Sequence, residues 1–93
     1  MMQTRRKPDH GTFRFAMNEA HEDQLIQKLI GDAQKNKVRP GHAWVRVVAA
    51  EGGKDVGHVE YHVDLHTLLV EVVELFGGVE TGRRSYDLID TPS

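Results

Sequence analysis

The sequence predicts one small α+β domain in the order strand, helix, strand, strand, helix, strand. Residues 56–63, Val56-Gly57-His58-Val59-Glu60-Tyr61-His62-Val63, alternate apolar and polar side chains with a period of two, which marks a strand with one buried face. Two other segments, 25–33 and 65–76, place apolar residues three and four positions apart, the spacing of an amphipathic helix. Glycine-bearing turns stand between these segments.

Taken in order, residues 1–11 combine Arg5-Arg6-Lys7 with Pro8 and Gly11 without periodicity and read as a flexible basic tail. Residues 12–17 then alternate, with Phe13, Phe15 and Met17 on one side and Thr12, Arg14 and Ala16 on the other, predicting a short first strand. Asn18 is a suitable N-cap for a first helix. Glu19, Glu22 and Asp23 follow where the positive end of the helix dipole favours acids, and Leu25, Ile26, Leu29, Ile30 and Ala33 form its apolar stripe. The stretch 35–41, with Pro40 and Gly41, connects to a second strand over 42–50, where Ala43, Val45, Val47 and Ala49 alternate with His42, Trp44, Arg46 and Val48.

The loop around Gly52-Gly53 returns the chain into the strand at 56–63. For Val45 and Val47 to share a face with Val59 and Tyr61, paired residue numbers must sum to an even number. That predicts an odd loop length instead of a two-residue Gly-Gly turn. Asp64 reads as the N-cap of a second helix carrying Leu65, Leu68, Leu69, Val72, Val73 and Phe76 and ending at Gly77-Gly78. Residues 79–84 read as a loop, 85–90 as the last strand and 91–93 as a tail. A single domain is thus expected over 12–90.

This order of elements resembles the ferredoxin-like βαββαβ sandwich, an antiparallel sheet with two helices on one face. The resemblance implies that the first and third strands are central. It is architectural, and such an architecture carries many functions, so no site residue follows from it.

Composition narrows the function classes. Twelve Lys and Arg against 14 Asp and Glu give a net charge of −2, which does not favour a dedicated nucleic-acid binder. The chain has no cysteine, which excludes disulfides, thiolate metal sites and a cysteine nucleophile. The basic N-terminus is followed by no apolar run of the kind a secretion signal needs, and no stretch approaches the roughly 20 apolar residues of a membrane span, so a cytoplasmic protein without membrane contact is expected.

The helix-free face of the expected sheet would carry Arg14, Trp44, Arg46, Val48, His58, Glu60 and His62. Trp and Arg are favoured anchors of protein interfaces, so Arg14, Trp44, Arg46, His58, Glu60 and His62 are the candidate partner-binding residues. The reading is a small accessory, regulatory or inhibitory module, of the kind viruses and mobile elements carry, that binds a protein partner or a second copy of itself as a homodimer. No cofactor and no catalytic signature are assigned.

Two alternatives come from the same residues. The first is a histidine-centred metal, small-molecule or acid–base site. His58 and His62 lie about 13 Å apart along a strand, too far to share one zinc, so His62 and His66 are the better metal candidates across the turn at Asp64. The second is nucleic-acid binding through the basic loops, with Lys35, Lys37, Arg39, Arg83 and Arg84 as candidates.

Overall fold

The computed structural model describes residues 2–15 and 18–90. Among the described residues the strands are β1 (Met2–Arg6), β2 (His10–Gly11), β3 (His42–Glu51), β4 (Lys54–Asp64), β5 (Leu69–Phe76) and β6 (Val79–Asp90), and a single helix, α1 (Glu19–Lys35), lies between β2 and β3. All pairings are antiparallel, and the sheet runs β1-β6-β5-β4-β3, with β2 also on β6. The architecture is therefore mostly β with one helix, and not a ferredoxin-like βαββαβ sandwich with two.

The overturned element is the second helix. Residues 69–76 are instead β5, a central strand flanked by β4 and β6. β5 carries apolar residues on both faces, Val70 and Val72 toward α1 and Leu69, Val73 and Leu75 away from it, and such a run also satisfies a helical stripe. Val70, Val72 and Glu74 point to the helix face, while Val73 is buried on the opposite face in the row Glu60–Val73–Arg83. The capping signal at Asp64 is real at the level of hydrogen bonds: its Oδ1 accepts from the N–H groups of His66 (2.8 Å) and Thr67 (3.2 Å). These bonds close a turn that Leu68 leaves with a φ of 55°, so the chain enters a strand where a helix would continue.

Gly77-Gly78 ends no helix; it is the turn between β5 and β6. Residues 79–84, expected as a loop, are the first half of the 12-residue β6. The expected first strand at 12–17 is also absent. Residues 12–15 are a non-strand segment, Ala16 and Met17 lie outside the described residues, and the edge strand comes instead from Met2–Arg6, within the stretch read as a tail. The tail expected at 91–93 falls outside the described residues.

The two hairpins β3–β4 and β5–β6 repeat each other. Val45, Val47, Val48, Gly52, Gly53, Gly57 and Tyr61 recur twenty-five positions on as Val70, Val72, Val73, Gly77, Gly78, Gly82 and Tyr86. In each copy a Gly-Gly pair with positive φ (57° and 77°, then 55° and 81°) makes a two-residue turn that closes on Glu51↔Lys54 or Phe76↔Val79. Each is followed by a one-residue bulge, at Val56 and at Thr81, before Ala49↔Gly57 and Glu74↔Gly82 resume the register. The expected odd-length loop is thus replaced by a two-residue turn, and the bulge restores the parity that keeps Val45 and Tyr61 on one face.

The glycines that follow the bulges are needed for space. A Cβ at Gly82 would meet the Phe13 ring at 2.9 Å, and one at Gly57 would run into the Leu75 carbonyl. The core lies on one face only, where Ile26, Leu29, Ile30 and Ala33 of α1 pack on Val59, Tyr61, Val63, Val70, Val72, Tyr86 and Leu88. Asn18 caps α1 by accepting from the Ala20 N–H, as its sequence position predicts. Among the described residues, no helix is long and apolar enough to cross a membrane.

Candidate functional site

Because α1 covers one face, the even-numbered residues of β3 and β4 share the other. Strand register sets them in rows: Trp44 beside His62, Arg46 beside Glu60, and Val48 beside His58. Arg14, expected on this face, is not on it; the residue lies in the segment after β2, with its guanidinium 5.2 Å from the centre of the Phe76 ring.

Glu60 organises the β4 row. Its Oε2 accepts from Nε2 of His58 at 2.8 Å and its Oε1 from Nε2 of His62 at 2.9 Å. Those bonds from His62 and then His58 hold the carboxyl below its ordinary range. The His62 ring in turn stacks on Trp44, with centroids 5.6 Å apart and planes 6° from parallel. Glu60 thereby orients His62, and His62 props the indole, which still exposes 60% of its surface. Val48, four residues along the strand, is 51% exposed. Arg46 stands between them without a carboxylate partner among the described residues, since Glu60 is held by the two histidines.

Beside this row a groove of about 780 Å³ runs past the end of the sheet, lined by Asn36, Arg39, His42, Trp44, His62 and Glu71 among others. At its rim Val38 is 92% exposed. Trp44 and His62 form one wall of this concavity as well as the end of the open face.

The metal candidates are not brought together. His66 is engaged elsewhere than His62: its Nε2 bonds the Pro40 carbonyl at 2.7 Å and its ring lies 5.6 Å from that of His42, while His62 bonds Glu60 and stacks on Trp44. Among the described residues, no group of three or more His, Asp or Glu is spaced to hold a metal ion.

The basic candidates separate in the same way. Arg83, on the helix-free face, pairs with Glu71 and with Glu80 at 2.8 Å, and these acids raise its pKa. Arg84, on the helix face, pairs with Asp9 at 3.0 Å and Glu22 at 2.9 Å and lies 4.6 Å from the Phe13 ring. Both guanidiniums are occupied internally. Lys35, Lys37 and Arg39 remain exposed at the end of α1, far in sequence from that pair.

Two buried carboxyl groups escaped the sequence reading. Glu22, first read as a dipole-favoured acid, is 2% exposed and accepts from Tyr86 Oη at 2.7 Å and Tyr61 Oη at 3.3 Å as well as from Arg84. Burial, followed by the Glu22 charge and hydrogen bond, raises Tyr61 far above its ordinary value. Burial and the Glu22 bond push Tyr86 up to about 12. Both hydroxyls therefore keep their protons at neutral pH and act as donors, so the cluster fastens α1 to the sheet. Glu74, fully buried, accepts from the N–H groups of Arg14 (2.6 Å) and Phe15 (2.8 Å) and from Thr81 Oγ1 (2.7 Å). The repeat of tyrosines at matching positions of two hairpins was the signal that could have located Glu22.

In comparisons with known proteins the chain matches no family model, no curated protein and no solved structure.

Proposed function

We propose that this chain is a small protein-binding module, accessory, regulatory or inhibitory in role, that engages another polypeptide through the β3–β4 side of its helix-free face. The observation that carries this is Trp44, the chain's single tryptophan, largely exposed yet fixed by its stack on His62. An aromatic side chain already held in one orientation loses little freedom when a partner covers it, and a central Trp beside an Arg is the usual make-up of an interface anchor. Arg46 supplies a guanidinium not engaged by an internal acid, Val48 adds apolar surface, and the His58–Glu60–His62 row forms a polar border. The groove beyond Trp44 offers a concavity for a partner side chain or loop.

Nucleic acid is the weaker partner class for this face. Glu60 and Glu71 stand on it, Arg83 is neutralised by Glu71 and Glu80, and the whole chain is acidic. The absence of cysteine fits a reducing compartment such as the cytoplasm.

The test compares wild-type bait with Trp44→Ala/Arg46→Glu and with Lys28→Glu, a control on the exposed side of α1, in quantitative affinity capture from cells that express the chain. A partner retained by wild type and control but lost by the double variant supports the proposal. Equal recovery of every retained protein by the double variant sinks it.

A further inference from the structure

The two edges of the sheet differ in how they are guarded. At the β1 edge the strand is five residues long, and Lys7-Pro8-Asp9 interrupts pairing before the two-residue β2. Short strands, proline and clustered charge are the devices that stop one sheet edge from joining another. The β3 edge has none of them. It is ten residues long, and between His42 and Glu51 its sequence Ala43-Trp44-Val45-Arg46-Val47-Val48-Ala49-Ala50 carries one charge and no proline.

Backbone hydrogen bonding identifies which groups of β3 are exposed on that edge. His42 gives its N–H to the Arg39 carbonyl (3.0 Å), and its own carbonyl accepts from Asn36 Nδ2 (2.8 Å), so both its main-chain groups point away from β4. In an antiparallel ladder, residues alternate between bonding the neighbour and facing outward. Trp44, Arg46, Val48 and Ala50 are consequently the residues whose N–H and C=O project from the open edge, while Ala43, Val45, Val47 and Ala49 bond β4. These four outward residues are also exposed.

We infer that the β3 edge pairs with the β3 edge of a second copy of this chain, antiparallel and two-fold about Arg46, to give one continuous sheet across a homodimer. The inference gives the polypeptide of the preceding section an identity, and it rests on that reading for the use of Trp44. Two features favour a second copy. First, a two-fold pair about Arg46 joins the six projecting groups of residues 44, 46 and 48 on each chain and leaves over only those of Ala50, beside the turn. Second, the same register sets Trp44 of each chain opposite Val48 of the other, covering the two large exposed apolar side chains of this strand with each other. The register also places the two Arg46 side chains directly opposite each other, a like-charge pair that works against it and that Arg46→Cys removes. A two-fold register keeps each face on its own side, so both α1 helices lie on the same side of the joined sheet.

The experiment uses the full chain and its lack of cysteine. Arg46→Cys places one thiol at the two-fold position, where directly opposed Cα atoms in a hydrogen-bonded pair are about 5.5 Å apart, within disulfide range. Gln27→Cys, on exposed α1, is the control. The expected results are a concentration-dependent dimer for wild type in sedimentation equilibrium, and air oxidation of Arg46→Cys to a disulfide dimer well ahead of Gln27→Cys. Val48→Lys, a charge on an exposed edge position that leaves the circular dichroism unchanged, should weaken dimerisation by about tenfold or more. A wild-type chain that stays monomeric at every concentration, or cysteine variants that oxidise at equal rates, overturns the inference. A monomeric chain whose partner capture is nonetheless lost in Val48→Lys assigns the edge to a foreign strand and overturns the second copy alone. Oxidation reads backbone pairing and affinity capture reads partner recognition, so the two proposals fail separately.

Discussion

The Tyr86 hydroxyl donates to the Glu22 carboxyl at 2.7 Å, joining the innermost acid of α1 to the strand that closes the sheet. Its counterpart from the first hairpin, Tyr61, reaches the other oxygen of the same carboxyl at 3.3 Å. The hairpin repeat thus sets two matching tyrosines on one acid from adjoining parts of the sheet, and Arg84 adds a guanidinium. A single-turn displacement of α1 would break all three bonds, so the cluster fixes the register of helix on sheet as much as it stabilises it.

The two hydroxyls should not be equivalent. Tyr86→Phe removes the shorter bond and is expected to cost about 1–2 kcal/mol, and Tyr61→Phe, with the longer bond, about 0.5–1 kcal/mol. Because both share Glu22, the double variant should depart from the sum of the singles. Urea unfolding of the four proteins measures this, and equal costs for the two variants would contradict the geometry.

Alkaline unfolding follows from the same hydroxyls. Burial, and then the bond and charge of Glu22, raise Tyr86 from 10.0 to about 12 in the folded protein. Between those values the unfolded chain releases a proton that the folded chain retains, so the unfolded state gains. The stability that Tyr86 contributes is fully present below pH 10 and is lost as pH rises through about 12. Tyr61 is shifted the same way and extends the loss upward. Unfolding midpoints across this range should fall steeply for wild type and less steeply for Tyr86→Phe; parallel slopes would remove Tyr86 from the explanation.

Acid acts on the opposite side of the cluster. The Arg84 hydrogen bond, reinforced by Arg6, holds Asp9 below its ordinary 3.8. A lowered carboxyl contributes stability that is present above the unfolded value and is lost as pH falls through the folded one. Asp9→Asn should therefore flatten the acid limb of stability below about pH 4 while leaving the alkaline limb unchanged.

Much of the sheet was legible because its signals were local. Strict alternation at 42–50 and 56–63 fixed the faces of β3 and β4, so Trp44, Arg46, His58, Glu60 and His62 share the helix-free face in the structure as expected. Asn18 and the stripe from Leu25 to Ala33 fixed α1. What failed were segments whose local signal fits two structures. Asp64 makes the same side-chain bonds in a turn as at a helix cap, and the residues of β5 satisfy helical spacing only because a central strand is apolar on both faces. The edge strand β1 carries no alternation of apolar residues, since an edge pairs through its backbone, and its assignment rests on partners in β6 that lie 80 to 88 positions on. His62 and His66 looked close in sequence, but His62 bonds Glu60 and stacks on Trp44 while His66 bonds the Pro40 carbonyl.

Glycine after each bulge is a second point at which the repeat can be tested. Gly57→Ala would press a methyl group into the Leu75 carbonyl, a backbone atom of a central strand, and should destabilise by on the order of 1–3 kcal/mol. Gly31→Ala has open space around its Cβ and sits inside α1, where alanine is favoured by about 1 kcal/mol. Thermal melts should therefore move in opposite directions, and a neutral Gly57→Ala would show that the hairpin can shift its bulge.

Glu74 carries the last expectation. Its carboxyl is the common acceptor for two backbone N–H groups of the segment after β2 and for the Thr81 hydroxyl in the β6 bulge. That segment lies between the edge strands and α1, and it packs Phe15 on Phe76 with ring centroids 5.1 Å apart. Glu74→Ala leaves two part-buried backbone N–H groups without their acceptor, leaves the Thr81 hydroxyl only the Glu74 carbonyl at 3.3 Å, and opens a void, so a loss on the order of 3 kcal/mol is expected. Glu74→Gln keeps the shape and one acceptor oxygen but turns its amide N–H₂ toward a donor, so it should recover only part of that loss. The local readout is amide exchange. Arg14 and Phe15 should exchange far faster in Glu74→Ala, while amides of β3 and β4 keep their relative protection. If all amides accelerate together instead, Glu74 supports the core as a whole and does not specifically clasp the segment that leads into α1.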